Sequence, residues 1–312
     1  MSTVSSTAQQ SRAARTGSPS PGSRLALQIQ RSRRRREILR TIAFHGFVLS
    51  LGLFTFYPVL WLIASSFKGH SEIFQQAHSL IPSRLHWENY VQGWQGFGRY
   101  TFATFFKNSF IITTVSTVGQ VASSALVAYG FARISFFAKR FLFTCMILTM
   151  LIPGQVLMIP QYVLFNYLGW VNTWRPLLVP AFFGTPFFIF LIMQFIRGIP
   201  IELDESAKID GCGKFGIFYY IILPNIKPAL ITAAIFAFYW TWDDFLGPLI
   251  YLQSAHLYPV SMALRLFSDP ATITNWGAMF AMSVASLIPV FILFVAFQRY
   301  LVEGISTTGL KG

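Results

Sequence analysis

The sequence predicts an all-α polytopic membrane protein with six transmembrane helices, and three observations carry that expectation. Of 312 residues, 54% are hydrophobic and only 11% are charged, against about 25% charged in an ordinary soluble domain. The apolar residues gather into six runs that each supply the about 20 residues needed to cross a hydrocarbon core of about 30 Å. The runs are continuous, unlike the alternating ten-residue segments of a strand barrel.

The first run, Thr41–Ala64, contains no Lys, Arg, Asp or Glu, and the second, Asn108–Ala132, lies uninterrupted between Lys107 and Arg133. The third and fourth are Phe141–Leu164 and Leu177–Ile196, with Arg175 the sole charged residue between Arg140 and Arg197. The fifth, Ala229–Leu252, carries Asp243 and Asp244, and the sixth is Ala278–Phe297. Forty residues precede the first run, which exceeds the 7–15-residue core of a signal peptide, so it reads as a retained span. Pro153, Pro160, Pro180, Pro186 and Pro289 fall within spans. Each removes a backbone hydrogen bond and bends or unwinds its helix, as a packing kink or as a gating hinge.

A net charge of +13 would ordinarily suggest nucleic acid as a partner. Its distribution argues otherwise. Nine arginines (Arg12, Arg15, Arg24, Arg31, Arg33, Arg34, Arg35, Arg36 and Arg40) precede the first span. With the loops after spans two and four and the C-terminal end, eighteen of the 24 basic residues fall on one side. Lys68, Arg84, Arg99, Lys107, Arg175 and Arg265 make up the other side. An excess of Lys and Arg marks the cytoplasmic face, so both termini are expected in the cytoplasm of a cell membrane protein. Residues 1–40 read as a disordered basic tail. Its Arg31–Arg40 cluster sets topology and sits on anionic headgroups of the lipid bilayer, so no nucleic acid is expected.

Cys145 and Cys212 fall in a span and a cytoplasmic loop, and are expected as free thiols. The outer loop 65–107 carries His70, His78 and His86, whose spacing matches no compact metal-ligand motif, so no metal site is expected. Its aromatics, among them Trp87, Tyr90 and Trp94, suit packing at the outer interface or contact with a partner.

The inner loop 197–228 is the most informative stretch. Pro200 suits the first turn of a short helix, and Glu202, Asp204 and Glu205 suit its positive end. Lys208 suits the last turn, and Gly211 a left-handed stop. A second short helix is expected from Lys214 to Ile222, ending before Pro224. Ser206, Ala207, Gly211 and Gly213 are small residues at the bend, where another backbone could approach closely. The element reads as a docking knob for a soluble partner or as an interfacial elbow linking two spans.

The string Glu205-Ser206-Ala207-x-x-Asp210-Gly211, followed by Leu223-Pro224 and Pro228, resembles the E-A-A loop of binding-protein-dependent ABC importer permeases. Ser206 in place of the commoner Ala is a departure. The resemblance extends to Ser66-Phe67-Lys68, Asn108-Ser109, Ala128-Tyr129-Gly130-Phe131-Ala132-Arg133 and Ile152-Pro153…Ile159-Pro160. The C-terminal segment from Gln298 to Gly312 is similar to the tail of the carbohydrate-uptake branch, of the maltose G-type permease kind. The resemblance covers residues 41–312 and implies a MetI/MalG-like permease fold. It implies that Glu205, Ser206, Ala207, Asp210 and Gly211 form an ATPase-coupling helix. The implied partners are a second homologous permease, two ABC ATPase subunits, an extracytoplasmic solute-binding protein and a sugar or sugar derivative.

The chain lacks a phosphate-binding loop of its own: Gly211-Cys212-Gly213-Lys214-Phe215 has neither the four-residue spacer nor the Ser/Thr that follows the lysine. No cofactor is therefore expected on this chain, and ATP and Mg belong to partner ATPase subunits. Neither H-E-x-x-H nor G-x-S-x-G occurs, so no enzymatic activity or catalytic residue is expected. Asp243 and Asp244 are the only acids in the six runs, and acids in spans usually face a cavity or a partner. Asp243 departs from the Asn more usual in the family. Trp240 and Trp242 beside them could stack on a sugar ring, which makes these four residues candidates for a substrate path. An aromatic belt at the outer interface is the competing reading. An ion-coupled secondary transporter or channel is the alternative function.

Overall fold

A computed structural model describes residues 21–267 and 275–309, which fall into two units, residues up to Trp61 and residues from Leu62 onward. The first unit is the greater part of one 45-residue helix, α1 (Pro21–Ser65). Its side chains from Arg36 to Pro58 are exposed all round, and most are apolar from Ile42 onward, as in a helix made for a non-aqueous surrounding. The expectation of a disordered tail is corrected for residues 21–40, which are helical. Arg, Leu, Gln and Glu are strong helix formers, and they fill this stretch. Residues 1–20 lie outside the described residues.

The second unit starts with α2 (His70–Gln75) and α3 (Glu88–Gln95), followed by the 32-residue α4 (Phe102–Arg133). Next come α5 (Lys139–Thr149), α6 (Gly154–Tyr167), α7 (Arg175–Leu178) and, beyond a 3₁₀ turn (Val179–Phe183), α8 (Pro186–Arg197). The short α9 (Ile201–Ile209) leads into α10 (Lys214–Asn225) and α11 (Lys227–Asp243). The unit ends with α12 (Leu246–Tyr251), α13 (Val260–Leu266) and α14 (Trp276–Gly309). The described residues form no β-strand; one isolated bridge pairs Phe97 with Tyr100.

Among the described residues four stretches are long and apolar enough to cross a membrane, or up to six if each of two bent helix pairs is one span. The first, second, fourth and sixth expected runs overlap the four stretches, and the third and fifth overlap the bent pairs. The third is split into α5 and α6, which meet at 101°. Pro153 supplies no N–H to continue α5 and instead starts α6 from a ψ of 129°. The fifth begins after a 77° bend behind α10 and stops at Asp243, because Asp244 turns extended with ψ 118°. The fourth is interrupted by the 3₁₀ turn and by Gly184 at φ 85°. Pro180 and Pro186 start helical segments there rather than kinking one, whereas Pro160 and Pro289 lie inside their helices.

Helix α4 packs against α8, α11 and the 3₁₀ turn, and so forms the axis of the second unit. One core joins it to Phe188, Ile192, Met193, Ile196, Ile217 and Ile222, all almost fully buried. A second core gathers Phe102, Phe105, Val260, Ala263, Ala278 and Met282 near the outer end.

The outer loop folds around a fully buried lysine. Lys68 Nζ donates to the carbonyls of Gln76 (3.1 Å) and Ser79, and Asn89 Nδ2 donates to the carbonyls of Ser66 and Lys68, both at 2.9 Å. Glu72 Oε1 accepts the Ser83 amide (2.6 Å) and hydroxyl (2.8 Å). The Ser83 amide is the main cause that holds the Glu72 carboxyl below the usual glutamate range. Replacing Lys68 by Met would strand two acceptors, at about 1–3 kcal/mol for each that stays dry. Lys68→Met is expected to speed limited proteolysis between residues 70 and 86, with the helical circular-dichroism signal unchanged; wild-type resistance of the loop would refute this role.

Candidate functional site

A polar-lined cavity of about 790 Å³ opens among α4, α6, the α7–α8 segment and the break between α11 and α12. On α4 its wall is Ser109, Thr113, Ser116 and Gln120, spaced by three and four residues and therefore on one helix face. Gln155 and Gln161 contribute from α6, and Trp240, Asp243, Asp244 and Tyr251 from the α11–α12 side.

The α4 stripe also holds the irregular backbone around the cavity. Ser116 donates its hydroxyl to the Leu177 carbonyl (3.2 Å), and Ser124 Oγ accepts the Thr185 amide (3.0 Å). Gln120 Oε1 accepts the Thr185 hydroxyl (3.2 Å), while its Nε2 donates to Thr241 Oγ1 (3.4 Å). At the outer end Asn108 Nδ2 donates to the carbonyls of His256 (2.8 Å) and Tyr258 (2.9 Å), and Ser109 Oγ accepts the Val260 amide (2.8 Å). Non-helical backbone survives at membrane depth only where such partners or a wet cavity satisfy it.

Asp243 and Asp244 sit where α11 ends, which corrects the expectation of a continuous span through Leu252. Asp244 Oδ1 accepts the Gly247 amide (3.1 Å), and its own carbonyl accepts the Ser261 hydroxyl (2.7 Å), so this carboxylate starts α12 and is partly held. A Cβ at position 247 would lie 2.5 Å from Asp244 Oδ2, so a larger residue there would displace this carboxylate. Asp243 is exposed and borders the cavity. Of the four proposed path residues, Trp240, Asp243 and Asp244 line the cavity and Trp242 does not. Trp242 is buried, donates its indole N–H to the Ser286 carbonyl (3.1 Å) and stacks on Phe238 at 5.7 Å. Two residues along a helix differ by about 200°, so Trp240 and Trp242 cannot share a face.

The glutamines and hydroxyls of the wall were absent from the sequence expectations, which tracked charge. Their signal was present as neutral polar residues at helical spacing within a charge-free span.

The second candidate site is α9. Pro200 caps it from outside rather than occupying its first turn. Its C-terminus closes as expected: Gly211 adopts φ 84°, its amide bonds the Lys208 carbonyl (3.0 Å), and the Cys212 amide bonds the Ala207 carbonyl (2.9 Å). This is the Schellman pattern, which needs a left-handed residue. Glu205, Ser206, Asp210 and Gly211 are exposed together, flanked by Ile209 at 87% and Phe215 at 82% exposure. Ala207, within the same string, is buried in the core. Asp204, three residues earlier, also faces inward, where its Oδ2 lies 3.2 Å from Arg133 Nε at the end of α4. Helix α10 runs beyond Ile222 to Asn225 through a π-helical stretch (Ile217–Ile222). Pro224 does not end it, because Pro is tolerated in the first turn of the short α segment that resumes at Leu223. Among the described residues no cluster of three potential metal ligands occurs, and both cysteines are free.

Comparison with known proteins adds the family. Residues 120–307 match the family model described as the binding-protein-dependent transport system inner membrane component. A probable ABC transporter permease protein of Bacillus subtilis, YurM, is 38% identical over 82% of this chain and 84% of its own length. The arabinooligosaccharides transport system permease protein AraQ of Halalkalibacterium halodurans is 34% identical over 88% of this chain and 96% of its own. The fold resembles a chain of a solved bacterial ABC transporter involved in importing the acidic polysaccharide alginate. The TM-score there is 0.73 at 20% identity, over 86% of this chain and 98% of that one. With the cavity, the broken spans and the exposed helix α9, these likenesses identify the chain as a member of the binding-protein-dependent transport system inner membrane component family.

Proposed function

We propose that this chain is the membrane-spanning permease subunit of an ATP-driven importer for a sugar or sugar derivative, supplied by an extracytoplasmic binding protein. The observation that carries this reading is α9, which presents Glu205 outward, is stopped at Gly211 and is flanked by exposed apolar side chains. Such a face suits seating in a cleft of a soluble partner, and family membership makes that partner an ABC ATPase. Two ATPase subunits bind ATP and Mg, which this chain does not, and a second homologous permease completes the path. Closure of the ATPases moves α9 and switches the cavity between outward and inward access. The side holding eighteen of the 24 basic residues is the side of α9, so both termini are cytoplasmic.

The sugar assignment draws on the arabinooligosaccharide permease among the relatives and on the chemistry of the cavity. Asp243 and Asp244 accept hydroxyl protons, Gln120, Gln155 and Gln161 both donate and accept, and Trp240 offers a ring face. Hydrogen bonds to charged groups contribute about 1.5–3 kcal/mol each, enough for binding of hydroxyls in transit.

Three measurements test this reading. Uptake into proteoliposomes is expected only with the ATPase subunits, ATP and the binding protein present; uptake driven by an ion gradient alone would overturn it. Glu205→Lys reverses a charge at the docking face, at a cost of about 2 kcal/mol or more. It is expected to leave partial assembly but to remove substrate-stimulated ATP hydrolysis, and normal stimulation would count against the docking role. Asp243→Ala and Asp244→Ala are each expected to raise KM or lower the transport rate by about tenfold, the equivalent of one charged hydrogen bond. Unchanged transport in both variants would remove these residues from the path.

A further inference from the structure

Arg133 is the last residue of α4, and its side chain is 10% exposed; the facing Asp204 side chain on α9 is 4% exposed. The guanidinium touches both parts of the coupling region. Nε lies 3.2 Å from Asp204 Oδ2, and Nη2 donates to the Ile199 carbonyl at 2.6 Å, on the linker entering α9. One turn earlier on α4, the Tyr129 hydroxyl donates to the Lys214 carbonyl (3.0 Å) at the start of α10. The last turn of α4 therefore grips α9 on both sides.

The ion pair is not built for stability alone. Among the described residues Asp204 Oδ1 and Arg133 Nε are buried without an aligned hydrogen bond. A buried pair left partly unsatisfied stabilises little over apolar residues of the same shape, and each such group calls for an explanation. The covalent routes out of α9 are soft by comparison. One runs back through Gly198, Ile199 and Pro200 to α8. The other passes a π-helical stretch and a 77° bend before reaching α11. Helix α4 has neither a break nor a proline. From Arg133 to Gln120 it rises about 20 Å, and to Ser109 about 36 Å. Both of those residues belong to the cavity wall.

We propose that the buried Arg133–Asp204 pair is the strut that passes displacement of α9 into α4, so that α4, acting as one rod, shifts the polar wall of the cavity. Arg133 and Asp204 are positioning residues: neither touches cargo or nucleotide. The inference rests on the importer reading above and adds the route by which the coupling helix reaches the cavity.

The test uses the assembled transporter in proteoliposomes, with Cys145→Ser and Cys212→Ser removing native thiols and Gln155→Cys as a reporter in the cavity. Its alkylation by a maleimide is timed with and without ATP, Mg and vanadate. With the strut intact, the rate is expected to change about fivefold or more on nucleotide trapping, within the usual span of coupling between sites. In Asp204→Asn, measured on the fraction that co-purifies with the ATPases, that change falls below about twofold, and Asp204→Glu restores most of it. A full response in Asp204→Asn overturns the strut, since a merely structural pair would leave the response of assembled complexes intact. If Asp204→Asn does not assemble, Arg133→Lys carries the same test: lysine keeps the charge but cannot hold Asp204 and Ile199 together, and a full response there also overturns it. No nucleotide response with the strut intact would overturn the importer reading, and the inference with it.

Discussion

The rest of the structure depends on one constraint: backbone that leaves helical geometry inside a membrane must find hydrogen-bond partners within the protein. Among the stretches that leave it are three beside the cavity, at Val179–Thr185, at Asp244–Phe245 and along 252–259. The face of α4 that carries Asn108, Ser109, Ser116, Gln120 and Ser124 supplies amide and hydroxyl groups to two of the three. At the remaining one, Asp244 and Ser261 satisfy one another's neighbourhood. The cavity follows from this arrangement. Where helices are interrupted, space opens, and the side chains that hold the interruption become its lining.

The same helix connects the two candidate sites. Its part from Ser109 to Gln120 borders the cavity, and its C-terminal end holds α9 through Arg133 and Tyr129. Helix α9 is correspondingly two-faced. Asp204 and Ala207 secure it to the body, while Glu205, Ser206 and Asp210 are exposed. A nine-residue helix has too few hydrogen bonds to hold its shape alone. The inward face therefore gives the outward face its rigidity.

Much of this was legible in the amino-acid sequence, and the failures have physical causes. Continuous apolar runs predict spans because they respond to the bilayer alone, and four appear as single stretches, with the third and fifth overlapping bent pairs. The breaks near Pro153, Pro180 and Pro186 were legible as prolines within spans, but the groups that hold the non-helical backbone were not, because they lie far away in the chain: Thr185 depends on Ser124, and Val260 on Ser109. The Gly211 stop was legible because a left-handed C-terminus is a local property. Ala207 and Trp242 are buried although their neighbours Ser206 and Asp243 are exposed, because a helix sends adjacent side chains about 100° apart. Asp204 was read as favouring the positive helix end, and its partner Arg133 as a topology charge; only the fold shows that they meet.

Gly211 also separates two meanings of a glycine at the end of a helix. A Cβ built there meets nothing within 4 Å, yet φ is 84°. The position therefore selects for handedness rather than for small size. A right-handed α-amino acid of the mirror series would sit there without strain, where its natural counterpart is disfavoured. What the chain requires at the end of α9 is a reversal of backbone handedness.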